Sequence, residues 1–448
     1  MNWENDGDEI KNFKGSVVRN PITYFNKSIS WSKISAGNIA FRSYPNGFIY
    51  DVAGTSLFPF DNTNYNHYIG VVNSNSIRHI LKVISPTLNF EVGQIATLPI
   101  TTQSSEQINN LVEDCINKSK SDWDAHETSW DFKENELVRI FNDNGWGTLD
   151  IVVSEYKAHW TRQFNQLHAN EEELNRQFIE IYGLQDELTA DVPLDEITIL
   201  QQGEISIVNN NIVWHDDVIA KQLISYAIGC WLGRYRLDKP GLHIAHPAPT
   251  PEEICTYSYN GNDLEIDDDG IMPILSADSS FADNACHRVR DFLRIAFGDE
   301  DLISNINWIE SAIGKSLEAY FAKDFWKDHK KIYQNRPIYW LFSSKKGAFQ
   351  CLAYMHRMDA YTAERVRSKY LLPHMEWLSN QIADLVAAQG TLTTAQSRML
   401  DRLRKELDEC REYHDRLHVV ADHQIAFDLD DGVVVNYAKF GDILAKIK

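Results

Sequence analysis

Two stretches of the chain, and its cysteines, carry residue types that could do chemistry. Asp150-Ile151-Val152-Val153-Ser154-Glu155-Tyr156-Lys157 sets an acid, a short apolar run and Glu-x-Lys in series. Metal-dependent nucleases place such acids and a lysine around Mg²⁺ and the attacking water. The pattern is short and common by chance, and Tyr156 onward reads as helix, so a Mg-dependent nuclease is the least favoured function. Glu265-Ile266-Asp267-Asp268-Asp269-Gly270 has the look of a calcium loop. Counted from Glu265, position twelve is Ser276 instead of glutamate, and Pro273 intrudes, so a polar turn is expected. The six cysteines (115, 230, 255, 286, 351, 410) are scattered without a Cys-x-x-Cys. That argues against zinc and for a reduced, cytoplasmic compartment. No catalytic, cofactor-binding or metal-ligating residue is assigned.

Charge gives a different lead. The 448-residue chain carries a net charge of −21, which opposes general affinity for nucleic acid. The distribution is uneven. Between Ile10 and Ile100, eight Lys/Arg (11, 14, 19, 27, 33, 42, 78, 82) face three acids (51, 61, 91). Between Arg336 and Pro373, seven Lys/Arg (336, 345, 346, 357, 365, 367, 369) face two acids (359, 364). Two basic, aromatic-rich islands in an acidic chain fit local contact with a phosphate backbone, although solvated faces have the same composition.

The elements that would position these residues follow from spacing. Asn46-Gly47, between Ile39–Tyr44 and Phe48–Val52, predicts a hairpin, since both turn residues tolerate positive φ. A short helix from Asn66 to Ser74 and a second from Ser76 to Ile84 should follow, the latter with Ile77, Ile80, Leu81 and Ile84 on one face. Further helices are expected over 105–120, 154–167, 170–182, 215–235, 282–297 and 308–320. In the helix over 170–182 Asn170 suits an N-cap, three glutamates suit the first turn, and Gly183 suits the stop. Asn335–Phe342 reads as a buried strand, Ser343–Gly347 as a loop, and 348–357 as strand or helix. Residues 366–417 read as two helices joined around Gln389-Gly390-Thr391. In the second, Leu400, Leu403, Leu407, Cys410, His414 and Leu417 form an a/d seam suited to an antiparallel pair or a docking surface. Asp431-Gly432 predicts a closing hairpin. The fold class is mixed α+β. A strand-and-helix recognition lobe is expected over 1–105, an acidic and mostly helical region over 106–330, and a second lobe over 331–448. The chain shows no signal peptide and no apolar run long enough for a membrane.

Trp31-Ser32-Lys33-Ile34-Ser35-Ala36-Gly37-Asn38-Ile39-Ala40-Phe41-Arg42 and the stretch Ser85 to Ile100 resemble target-recognition domains. Such domains occur in Type I restriction specificity subunits, Type IIG enzymes and large adenine-N6 DNA methyltransferases. Thr128-Ser129-Trp130-Asp131-Phe132, Asn170 to Leu184, Gly233 to Leu242 and Arg336-Pro337-Ile338-Tyr339-Trp340 extend the likeness along nearly the whole chain. It is most similar to the C-terminal part of the PglX family, the methyltransferases of BREX phage-defence systems.

That resemblance implies sequence-specific recognition of double-stranded DNA, with base edges read from loops and phosphates held by Lys/Arg. The candidate DNA-binding residues are Lys33, Arg42, Asn46, Arg78, Asn89, Gln94, Lys345, Lys346 and Arg357. Such enzymes hold S-adenosylmethionine in a glycine-rich loop and the flipped adenine in an Asn/Asp-Pro-Pro-Tyr/Phe motif. Neither motif is found; Asn20-Pro21-Ile22-Thr23 does not qualify. No cofactor is therefore expected in this chain, and S-adenosylmethionine is expected in a missing N-terminal methyltransferase domain, a partner of this one. Met1 would then be an artificial or a secondary start and the chain inactive alone. The alternative of a different class is a scaffold that docks other BREX proteins.

Overall fold

The computed structural model describes residues 3–60, 62–275, 281–388, 390, 392–426 and 428–447. The fold is α+β, mostly helix with small antiparallel sheets. The chain divides into two compact units, neither contiguous in sequence: residues 1–121 with 160–199, and residues 122–159 with 200–448.

The first unit is built on β1 (Ser28–Ser32), β2 (Phe41–Tyr44) and β3 (Gly54–Leu57), in the order β2-β1-β3. Ser30 lies opposite Arg42 on one side and Ser56 on the other. The alternation of strand side chains therefore sends Ile29, Trp31 and Phe41 into the core and Arg42 to the opposite face. The expected hairpin across Asn46-Gly47 does not form. The partner of β2 is β1, earlier in the chain, and the second neighbour of β1 is β3 rather than 48–52. Asn46 caps a different turn instead, accepting the Lys27 N–H at 2.7 Å.

Helices Tyr65–Asn73 and Asn75–Ile84 cover the sheet, as the spacing predicts. Asn73 pins β2 by bonding both Phe41 N–H (2.9 Å) and Phe41 C=O (3.0 Å). Ser74 caps the second helix. The core closes with Leu174 and Phe178 from a helix that runs unbroken from Leu149 to Tyr182. Two helices were expected there. The segment holds no Gly or Pro, so nothing stops the first. Asn170 is thus a mid-helix residue, and its amide donates to Asp114 Oδ2 at 2.6 Å. The expected stop is present: Gly183 takes φ +67°, and Leu184 N–H returns to Ile179 C=O at 2.9 Å.

The second unit holds a hairpin of β4 (Ile205–Val208) and β5 (Asn211–Trp214), a small hairpin of β6 (Tyr257–Tyr259) and β7 (Asn262–Leu264), and a central sheet. That sheet has β8 (Ile271–Pro273), β9 (Tyr339–Ser343) and β10 (Gln350–Tyr354) in the order β8-β10-β9. Helices Leu372–Ala387 and Thr394–Asp422 pack with it in one core. Leu400, Leu403, Leu407, Cys410 and Leu417 of the seam are buried there, and Tyr413 takes the place expected for His414. Gln389 and Thr391 of the expected joint lie outside the described residues.

Two local expectations fail in this unit. The helix expected over 308–320 is broken by Gly314 (φ +69°) into Leu302–Ile313 and Leu317–Tyr320. The closing hairpin is instead a helical turn at Leu429–Asp431 followed by helix Val433–Ala438. Among the described residues no helix is long and apolar enough to cross a membrane, and all six cysteines are free thiols.

Candidate nucleic-acid interface

Six of the nine candidate residues fall in the first unit, in three places. Lys33 follows β1, where its backbone is fixed by bonds to Ala53 C=O (3.0 Å) and Phe90 N–H (2.7 Å). Its Nζ lies 3.0 Å from Glu91 Oε1. Gln94 sits beside it, its Oε1 accepting Glu91 N–H at 2.9 Å in a capping box. Asn89 bridges to Ile34 through backbone and is exposed. Lys33, Asn89 and Gln94 are therefore neighbours on one set of loops. Exposed Ile34 and Leu88 accompany them. Asn46 stands elsewhere, on its turn.

The third place gathers charge. Arg42 projects from β2 and Arg78 from helix Asn75–Ile84. Arg78 Nη1 lies 3.0 Å from Glu196 Oε2, and Asn38 Nδ2 donates to Glu196 Oε1 at 3.1 Å. Arg42 and Arg78 both act on Glu171 of the long helix. Burial pushes the Glu171 carboxyl up, and the two guanidinium charges oppose that rise. Burial likewise lowers the Arg42 guanidinium, with Glu171 pulling the other way. The Arg42 side chain keeps solvent exposure even so. Two cations and two acids thus form one partly exposed group on the unit's surface. The sequence reading missed Glu171 and Glu196, because sequence spacing gives no signal for partners so remote.

The second island is largely self-neutralised. Arg365 pairs with Asp359 (2.8 Å), Arg367 with Glu364 (2.8 Å), and Lys369 with Asp268 (3.3 Å) and Asp269 (3.1 Å). Arg357 is buried, and its Nη1 donates to Asp267 C=O (2.5 Å) and Leu232 C=O (3.4 Å). Its guanidinium holds the fold and faces no solvent groove. Lys345 and Lys346 are exposed at the tip of the β9–β10 hairpin and make no ion pair among the described residues.

In the 150–157 stretch the acids and the lysine are each engaged with a different partner. Glu155 accepts from Asn144 Nδ2 (2.5 Å), Lys157 pairs with Asp216 (2.5 Å), and Asp150 bonds Thr148. Asp267 Oδ1 accepts the N–H groups of Asp269, Gly270 and Ile271, the polar turn the sequence predicts. Asp267, Asp268 and Asp269 are the one cluster of three metal-capable side chains among the described residues, with the Lys369 ammonium at its edge.

No protein-family description matches the chain. It is 34% identical over 475 residues to the adenine-specific methyltransferase BrxX of Escherichia coli O9:H4 (strain HS), a match covering 100% of this chain and 38% of BrxX. The chain is homologous to part of the BrxX and PglX methyltransferases. With the adenine-specific methyltransferase PglX of Lacticaseibacillus casei (strain Zhang) it shares 36% identity over 464 residues, 98% of the chain and 37% of PglX. The chain thus spans under two fifths of the length of either relative. The PglX likeness carried by Trp31–Arg42 and Ser85–Ile100 extends along the entire chain, through both units.

Proposed function

We propose that this chain is a DNA-recognition region of a BREX adenine-specific methyltransferase, directing methylation of host DNA in the cytoplasm. The observation that supports it most is the Arg42–Arg78 group. Two arginines stand on a partly exposed surface, held by the carboxylates of Glu171 and Glu196. A DNA phosphate can take the place of such carboxylates, because both present paired anionic oxygens to a guanidinium. At a separate place on the same unit Lys33 and the exposed Asn89 supply contacts to phosphate and base edges, and Lys345 with Lys346 supply a further phosphate contact. Arg357 takes no part, its guanidinium being buried and bonded within the fold; Asn46 and Gln94 each engage their side-chain oxygen within the fold, which leaves the amide NH2 for a base edge. In this reading S-adenosylmethionine and the methyl-transfer chemistry belong to the part of the relatives that this chain does not span.

The test is duplex binding by the 448-residue chain, read by fluorescence anisotropy from about 50 to 200 mM salt. Affinity should fall steeply with salt. Arg42→Ala/Arg78→Ala should weaken binding and reduce the slope by about two counterions. Binding unchanged in that variant and in Lys345→Ala/Lys346→Ala would refute the proposal.

A further inference from the structure

The loop that carries Lys345 and Lys346 is held from outside itself. It joins β9 to β10 and is closed by Ser344 N–H to Phe349 C=O (2.9 Å), with Gly347 at φ +81°. One carboxylate oxygen, Glu409 Oε1 of helix Thr394–Asp422, reaches into it. That oxygen accepts from Ser344 Oγ (2.6 Å), Lys346 N–H (2.6 Å) and Ala348 N–H (3.4 Å). Ser344 Oγ in turn accepts Phe349 N–H at 3.0 Å. A second helix adds a clasp: His374 Nε2 bonds Ala348 C=O at 3.1 Å. Loops of this length at a hairpin tip usually satisfy their donors with water. Here an internal anion takes them, and the two ammonium groups are left to solvent.

We infer that Glu409 is a positioning residue, which fixes the Lys345–Lys346 loop so that both lysines meet a nucleic-acid phosphate backbone without first being ordered. The inference rests on the DNA-recognition reading above. Two effects of Glu409 compete. Its negative charge close to the lysines disfavours an approaching phosphate. Its charge-assisted bonds hold the loop backbone, so the ordering cost is met in folding and not on binding. Substitutions separate the two. Glu409→Gln keeps the shape and an acceptor oxygen but loses the charge; Glu409→Ala loses both.

The experiment measures duplex affinity of the 448-residue chain with Glu409→Ala and Glu409→Gln, each alone and combined with Lys345→Ala/Lys346→Ala. Amide exchange at Lys346 and Ala348 is followed in parallel. Glu409→Ala is expected to speed exchange at both amides and to weaken binding ~3- to 10-fold, with no further loss once the lysines are gone. Glu409→Gln is expected to bind as tightly as the parent or tighter. Unchanged or tighter binding by Glu409→Ala overturns the inference, as does an equal loss in both lysine backgrounds. If Lys345→Ala/Lys346→Ala itself binds like the parent while Arg42→Ala/Arg78→Ala does not, the loop role fails and the DNA reading survives. If neither double variant matters, both fail.

Discussion

Arg78 Nη1 lies 3.0 Å from Glu196 Oε2, and this pair closes the charged group in which Arg42 and Glu171 also stand. Both side chains keep some solvent, so the pair adds little stability, below about 1 kcal/mol. Its larger effect is to occupy Arg78. Glu196→Gln should leave thermal stability nearly unchanged and raise duplex affinity at low salt by about 2- to 5-fold. Anisotropy titrations beside a melting curve check both halves; tighter binding without the salt slope of the parent would count against phosphate contact.

A buried pair in the second unit makes a pH prediction. His126 Nε2 lies 2.6 Å from Glu204 Oε1, with side-chain exposures of 7% and 0%. Gln222 donates to the same oxygen at 2.7 Å, and Gln202 N–H to Oε2 at 3.0 Å. Burial lowers the imidazole, but the bond and charge of Glu204 overcome it and raise His126 above 6.5. Burial raises Glu204, but His126 overcomes that and holds it below 4.5. The His126 contribution is complete below 6.5 and disappears as pH climbs through its raised value. The Glu204 contribution is complete above 4.5 and disappears as pH falls through its lowered value. Glu204→Gln should therefore cost most between pH 4.5 and 6.5, on the order of 3 kcal/mol, with the gap to the parent narrowing at alkaline pH. Urea unfolding across pH tests this; a gap that widens above neutrality would contradict it.

Glu127 runs in the opposite sense. Its Oε2 accepts from Tyr333 OH (3.0 Å) and Ser225 Oγ (3.1 Å), while Oε1 is enclosed without a hydrogen-bond partner. Burial pushes the carboxyl up to about 7, with the Arg234 charge opposing. A raised pKa favours the fold while the acid is protonated and withdraws that support as pH rises from 4.5 toward 7. Glu127→Gln should remove this slope and stabilise the chain at pH 8, by up to about 3 kcal/mol. Equal pH profiles of unfolding for parent and variant would show that the carboxyl titrates alike in the folded and unfolded chain.

The seam of helix Thr394–Asp422 is core, not a free surface. Leu403 is 1% exposed within a cluster that includes Trp340 and Phe342 of the central sheet. Leu403→Ala should cost about 2 to 5 kcal/mol of stability. A scaffold role for the seam predicts instead a well-folded variant that has lost a partner. A melting temperature within a degree of the parent would favour that view.

Gly229 tests the packing under the same unit. A Cβ there would stand 2.6 Å from Tyr235 Cδ2 and 3.0 Å from Tyr339 OH. Both rings are fully buried, so neither can swing aside. Gly229→Ala should destabilise by about 1 to 3 kcal/mol despite better helix propensity. An increase in melting temperature would mean that the rings relax.

Elements governed by local chemistry were readable from sequence. Helix Asn75–Ile84 follows from its apolar spacing and the stop at Gly183 from its need for positive φ. The readings that failed did so for local and for remote reasons. Asn46-Gly47 has the residues of a hairpin turn, yet β2 finds a better neighbour in β1, whose Ile29 and Trp31 bring the core with them. Asn170 has the residues of a cap, yet nothing before it stops a helix. At the candidate interface, the positions of basic side chains were legible and their neutralisation was not. Lys369 and Arg365 count as positive in the sequence and are paired in space, whereas Lys345 and Lys346 make no ion pair among the described residues.

The unbroken helix Leu149–Tyr182 has 34 residues, a length of about 51 Å, and the chain crosses along it from the second unit back into the first. This has a consequence during synthesis. The sheet of the first unit is made within the first 57 residues, but the core above it is completed only by Leu174 and Phe178. At about 5 to 20 residues per second, the interval from the end of the first segment to Phe178 is on the order of 3 to 12 s. For that time the part of helix Tyr65–Asn73 that meets the Phe178 ring, His67 and Gly70, and the apolar residues around them lack that cover. A nascent chain stalled before the long helix is finished would present them to whatever chaperone waits at the ribosomal exit.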